Sequence, residues 1–120
     1  HIPLNASTKY LVDEGFISKM KKNFYLVNTA RGKNVKTSAL VDALKSGKVK
    51  AAALDVLEYE KSSFENLDTS TSLSARNKED LQFLLESNQV IVTPHIAGWT
   101  HQSKEKLAQF IVDKIVQQFC

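Results

Sequence analysis

Three short apolar runs, each stopped by a polar segment, constrain this chain more than any other feature. They are Phe24-Tyr25-Leu26-Val27, Ala51-Ala52-Ala53-Leu54 and Val90-Ile91-Val92. Between them lie stretches with apolar residues at helical spacing: Leu40, Val41 and Leu44 after Thr37, then Leu81, Leu84 and Leu85 after Asn77. Strand-length runs that alternate with helix-length ones predict an α/β fold, a parallel sheet buried on both faces. A helical bundle is the competing arrangement. The β-branched Val90-Ile91-Val92, hemmed in by turns, argues against it.

Local signals place the ends of the elements. Asp13 is a helix cap for a segment running to about Met20, with Leu11, Phe16, Ile17 and Met20 on one side. Thr37 is expected to cap the second helix and Gly47 to close it. Asn77 is expected to open a third helix and Thr100 a long amphipathic one with Leu107, Phe110, Ile111, Ile115 and Phe119 on a stripe. His1-Ile2-Pro3-Leu4 reads as the end of a further strand. Residues 61–75, rich in Ser and Thr, read as an exposed loop.

Composition excludes several classes. The apolar content of 42% and charged content of 24% are those of an ordinary globular chain, not a disordered tail or a disulfide scaffold. No apolar run approaches the ~20 residues of a transmembrane helix, so no membrane association is expected. The net charge of +3 is carried by scattered lysines, which read as solvated faces; no nucleic-acid partner is expected. Cys120 is the single cysteine, so no internal disulfide can form and a reducing, cytoplasmic location is expected. The chain does not begin with Met and has no signal peptide, which reads as a processed chain or a piece of a longer one.

In open α/β sheets, ligands sit beyond the carboxyl ends of the strands. The first run is followed by Arg31, the second by Asp55, Glu58 and Glu60, and the third by His95. Taken singly, each has an ordinary use as a surface charge or turn residue. Together they are a guanidinium fork for a carboxylate, an imidazole for proton transfer, and an acid, Glu60 or Glu58, to orient that imidazole. No metal site is expected.

At these residues the chain resembles the D-isomer-specific 2-hydroxyacid dehydrogenases. The resemblance runs through His1-Ile2-Pro3-Leu4, Asn28-Thr29-Ala30-Arg31-Gly32, Ala52-Ala53-Leu54-Asp55-Val56-Leu57-Glu58-Tyr59-Glu60 and Thr93-Pro94-His95-Ile96-Ala97-Gly98. It is weakest across 61–88. It implies an oxidoreductase that moves a hydride between NAD, with NADP left open, and a small D-2-hydroxy or 2-keto acid. Arg31, Glu60 and His95 are the implied catalytic residues: Arg31 holds the substrate carboxylate and carbonyl, His95 is the acid or base, and family spacing selects Glu60 as its partner. Asp55 is implied to contact the nicotinamide carboxamide. Thr29, Ala30 and Arg31, with His95, Ala97 and Gly98, are implied to line the nicotinamide, and Ile2 and Pro3 the adenosine side. Lys61 stands where the family usually has Pro.

One part of the pattern lies elsewhere. The glycines are Gly15, Gly32, Gly47 and Gly98, and none gives the G-x-G-x-x-G spacing that anchors a dinucleotide pyrophosphate. The chain therefore reads as residues 1–120 of a partial Rossmann domain, its C-terminal half, lacking the first βαβ unit. Residues 1–99 carry the sheet and helices, 61–75 an inserted loop, and 100–120 the long C-terminal helix. Such a half-domain is expected to turn over little alone and to self-associate, as a homodimer or otherwise. Two other readings are an NAD(H)-sensing, corepressor-like binding module on the same fold, and an α/β interaction domain without cofactor.

Overall fold

The computed structural model describes residues 1–59 and 73–119. In order, these form α1 (Glu14–Lys19), β1 (Phe24–Asn28), a 3-10 turn at Gly32–Asn34, α2 (Thr37–Lys45), β2 (Val49–Leu54), α3 (Ala75–Glu86), β3 (Val90–Val92) and α4 (His101–Phe119). The three apolar runs become one parallel sheet in the order β1-β2-β3. The register aligns Asn28 with Leu54 and Leu54 with Val92, so all three strands end at one edge.

The core is the layer between the sheet and two helices. Leu40, Val41 and Leu44 of α2 and Leu81 and Leu84 of α3 pack with Val49, Ala52 and Leu54, and all are buried. Helix α2 crosses from β1 to β2, and α3 lies on the path from β2 to β3. Parallel crossovers share one hand, and a sheet built steadily in one direction places both helices on the same face. Among the described residues, these two helices cover one face of the sheet. On the opposite face Tyr25, Val27 and Ile91 are 67–70% exposed.

The capping signals hold in part. Asp13 accepts from the Phe16 amide at 2.8 Å and starts α1. Gly47 closes α2 at φ 73°, in the left-handed region that glycine adopts without strain. The hydroxyl of Thr100 accepts from the Ser103 amide at the start of α4. Three expectations need correction. Thr37 is the first helical residue of α2, not its side-chain cap. Helix α3 begins at Ala75, two residues before Asn77, because the Ser74 hydroxyl accepts from the Asn77 amide at 3.2 Å. The expected 61–75 loop therefore ends in a helix start, and its remainder up to residue 72 lies outside the described residues.

Residues 1–4 form no strand. A strand needs a ladder partner, and here the chain turns instead. The Asn5 side chain accepts from the amides of Ser7 and Thr8, and the Thr8 hydroxyl donates to the Pro3 carbonyl at 2.6 Å. Helix α4 lies apart from the core, with no buried residue. No helix among the described residues is long and apolar enough to cross a membrane.

Candidate active site

The site residues are best built outward from Asp55, the first residue beyond β2. It is 3% exposed, and its carboxylate is committed to the segment that follows β3. The Thr93 hydroxyl donates to Oδ1 at 2.6 Å, and the Ile96 and Ala97 amides donate to Oδ1 and Oδ2 at 2.9 Å each. The His95 amide donates to the Asp55 carbonyl at 3.0 Å. Burial alone would push this carboxyl up. The hydrogen bonds from Thr93, Ala97 and Ile96, with the nearby His95, outweigh it and hold the carboxyl below the usual Asp value.

The same latch sets the backbone of His95. The strand ends at Val92, and after Pro94 His95 takes φ 53°, left-handed for a residue with a side chain. Such a conformation costs on the order of 1 kcal/mol or more and persists where the surroundings impose it. Here two consecutive amides, Ile96 and Ala97, must both reach one carboxylate. The imidazole is left exposed at the sheet edge.

Arg31 stands across that edge, beyond β1. Asn28, 6% exposed, staples its turn: the side-chain amide donates to the Arg31 carbonyl at 3.1 Å, and its oxygen accepts from the Ala30 amide at 3.1 Å. The Arg31 guanidinium is exposed, with Nη1 donating to the Ala30 carbonyl at 2.7 Å. No acid pairs with it among the described residues.

The loops after β1 and β2 touch backbone to backbone. A Cβ on Gly32 would lie 1.9 Å from the Leu57 carbonyl oxygen, closer than any side chain permits. Glu58 then crosses to the start of α2, where its Oε2 accepts from the Thr37 amide at 2.8 Å. A carboxylate there satisfies an orphan amide and complements the helix dipole. A hydrogen bond to Glu58, then burial and that negative charge, raise the Tyr10 phenol, and burial and the Glu58 charge push Tyr59 up to about 12. Of the two acids left open as partners for His95, Glu58 is thus engaged in fixing the loop. Glu60 lies outside the described residues.

The N-terminal segment lies near the Arg31 side, with a His1 ring nitrogen 3.3 Å from the Thr29 hydroxyl. Ile2 and Pro3 are exposed there. A Cβ on Gly98 would meet nothing within 4 Å, so the backbone after His95 borders open space. Ala30, Ala97 and Gly98 leave little side chain at this edge, while the glycine spacing for a pyrophosphate is not in this sequence. The residues present therefore fit the nicotinamide end of a dinucleotide. Among the described residues no cluster suits a metal ion. Sequence reasoning quoted Asn28 and Thr93 within motifs but gave them no part. Their work is to shape the turns, and it becomes visible only when the donors and acceptors are paired.

Comparison with known proteins follows the same residues. The family model for "D-isomer specific 2-hydroxyacid dehydrogenase, NAD binding domain" matches residues 1–97. A D-specific alpha-keto acid dehydrogenase of Enterococcus faecium is 42% identical over 106 residues, covering 86% of this chain and 31% of the relative. A hydroxypyruvate reductase of Thermotoga maritima is 36% identical over 118 residues, covering 98% of this chain and 34% of the relative. The NAD-complexed structure of a D-isomer-specific 2-hydroxyacid dehydrogenase from Lactobacillus delbrueckii superposes with a TM-score of 0.71 at 35% identity, covering 97% of this chain and 34% of that one. The chain thus spans about a third of the length of the relatives it matches.

Proposed function

This chain belongs to the D-isomer-specific 2-hydroxyacid dehydrogenase NAD-binding domain family, and from that premise we propose that its protein reduces small 2-oxo acids to D-2-hydroxy acids and runs the reverse reaction. The observation that carries the proposal is the in-register sheet edge, where the Asp55 latch poses His95 on one side and Asn28 poses Arg31 on the other.

NAD, when bound, supplies or takes up the hydride. The chain's own residues do the rest. Arg31 binds the substrate carboxylate with two parallel N–H···O bonds and fixes the carbonyl. As the carbonyl carbon is reduced, His95 gives its proton to the carbonyl oxygen, and in oxidation it takes that proton back. Glu60 pairs with the imidazole and orients the ring. Asp55 keeps one acceptor position for a carboxamide while three are filled by its own chain. Thr29, Ala30, Ala97 and Gly98 line the nicotinamide, and Ile2 and Pro3 face the adenosine side. In this assignment residues 1–120 are the C-terminal half of the cofactor domain. The activity belongs to a protein that also supplies the phosphate-binding segment, and the chain by itself turns over little.

The test has a binding arm and a turnover arm. NADH should quench Trp99, the only tryptophan of this chain and next to Gly98, in the protein that carries this chain. NADH oxidation is expected with at least one of pyruvate, hydroxypyruvate or 3-phosphohydroxypyruvate. Arg31→Lys keeps the charge but loses the fork, so KM for the oxo acid should rise about tenfold or more. Saturable quenching without oxidation of any oxo acid would sink the catalytic reading.

A further inference from the structure

Two acids bound the segment that follows β2, and each is committed to a different neighbour. Asp55 at its start holds the segment after β3, and with it His95. Glu58 at its end holds the start of α2, where its Oε2 accepts from the Thr37 amide. Val56 and Leu57 between them are both buried, so the segment is anchored in the core. Helix α2 has no side-chain cap of its own: Lys36 stands at the N-cap, and Thr37 is the first helical residue. The acceptor at this helix start thus comes from the loop after β2.

The junction that Glu58 grips also carries Arg31. The Asn34 amide donates to the Arg31 carbonyl and the Val35 amide to the Gly32 carbonyl, each at 3.1 Å, so residues 31–35 form one turn leading into α2. The segment before α1 backs this turn. The Tyr10 amide donates to the Lys33 carbonyl at 2.8 Å, and the Val12 amide to the Asn34 carbonyl at 3.0 Å. Tyr10 takes φ 54° in doing so, and its phenol bonds the Glu58 carboxylate. Among the described residues with a side chain, His95 and Tyr10 are the two in the left-handed region. One lies in the segment held by Asp55, the other against Glu58. Strain of this kind persists where the surroundings impose it, and it clusters at functional sites.

We propose that Glu58 is a positioning residue for the reduction: through Thr37 it fixes the turn of Arg31 to the same buried segment from which Asp55 fixes His95. Guanidinium and imidazole then stand at a set separation across the sheet edge. The assignment rests on the dehydrogenase reading. Arg31 grips the carboxylate of the oxo acid, and His95 must meet the carbonyl oxygen one carbon away. A displacement of Arg31 by ~1 Å moves that oxygen out of line for proton transfer and costs up to ~100-fold in rate. Asn28 fixes Arg31 relative to β1, whereas Glu58 fixes the turn relative to the segment that holds His95. The task needs an acceptor oxygen at this place, so an amide can perform it and a methyl cannot.

A double-mutant cycle in the protein that carries this chain tests it. Glu58→Ala should lower kcat/KM for the oxo acid about tenfold, with wild-type helix content by circular dichroism. In an Arg31→Lys background the same change should cost less than about twofold, because no fork remains to be placed. Glu58→Gln keeps an acceptor oxygen for the Thr37 amide and should recover kcat/KM to within about threefold of wild type. Equal losses in both backgrounds would mean that Glu58 serves the fold alone, and they overturn the assignment. Full activity in Glu58→Ala overturns it as well, and so does a Glu58→Gln variant as impaired as Glu58→Ala. Should Glu58→Ala fail to fold, Thr37→Pro removes the donor instead, because proline suits the first helical position and the extended Lys36 before it. A loss of about tenfold in Thr37→Pro that vanishes in the Arg31→Lys background supports the assignment, and unchanged kcat/KM overturns it. The dehydrogenase reading fails differently. A wild type that oxidises NADH with no oxo acid sinks that reading and the assignment together, whereas wild-type turnover with an unimpaired Glu58→Ala sinks the assignment alone.

Discussion

Asp55 at the sheet edge and Asp80 on α3 are both buried, 3% and 5% exposed, yet the fold treats their charges in opposite ways. Asp55 receives three hydrogen bonds and is held below the usual Asp value. Asp80 has an Oδ2 without a hydrogen-bond donor among the described residues, 3.8 Å from Arg76 Nε, which is ion-pair distance but too long for a hydrogen bond. Arg76 gives its close contact, 2.9 Å, to Asp42 on α2 instead. Burial therefore raises the Asp80 carboxyl; the Arg76 charge opposes that shift only in part. One buried carboxylate organises a loop that carries candidate chemistry, and the other is tolerated in a helix-on-helix seam. Burial alone does not mark a working acid; the donors around it do.

The largest test of that contrast is to remove the Asp55 side chain. Asp55→Ala should cost about 3 kcal/mol, because hydrogen bonds to a charged acceptor are worth more than neutral ones, while the exposed loop amides regain water and limit the loss. Urea unfolding measures it, and amide exchange at Ile96 and Ala97 should speed up with it. A loss under about 1 kcal/mol would mean that Asp55 does not hold the loop.

Asp80→Asn should have a smaller effect of opposite sign, raising stability at pH 7 by about 1 kcal/mol or less. The pH dependence separates the two acids further. The Asp55 value is lower in the folded chain, so its contribution is full above about pH 4, the unfolded value, and is lost as pH falls through the folded value. The Asp80 value is higher in the folded chain, so its penalty is present at neutral pH and is relieved as pH falls from the folded value toward about 4. Asp80→Asn should flatten the stability curve above about pH 4, and Asp55→Ala below it. Stability curves of unchanged shape in both variants would break the comparison.

What the sequence revealed follows the same division. The strands, their shared edge and the placing of Arg31, Asp55 and His95 beyond it were legible, because apolar runs and the polar residues that stop them are written in side chains. The latch was not. Two of the donors to Asp55 are the backbone amides of Ile96 and Ala97, which carry no mark in a sequence. The carboxylate at the start of α2 comes from Glu58, 21 residues away, so Thr37 looked like the cap it is not. Ser74, a real cap, was hidden in a run of Ser and Thr.

The smallest effect is expected at Gly98, and it sharpens the contrast between residues that shape the edge and residues that leave it open. Gly32 is required because the Leu57 carbonyl occupies the place of its Cβ, whereas a Cβ on Gly98 meets nothing. Gly98 is also not in the left-handed region, so an alanine there strains no backbone. Gly98→Ala should therefore change stability by less than about 0.5 kcal/mol, within the range of surface substitutions. If the space beside it is where a nicotinamide lies, the added methyl should still weaken NADH quenching of Trp99, by severalfold in apparent Kd. Unchanged stability with weakened quenching would mark that space as a ligand's. Unchanged stability with unchanged quenching would move the nicotinamide away from Gly98 and toward the Thr29 and Ala30 side of the edge.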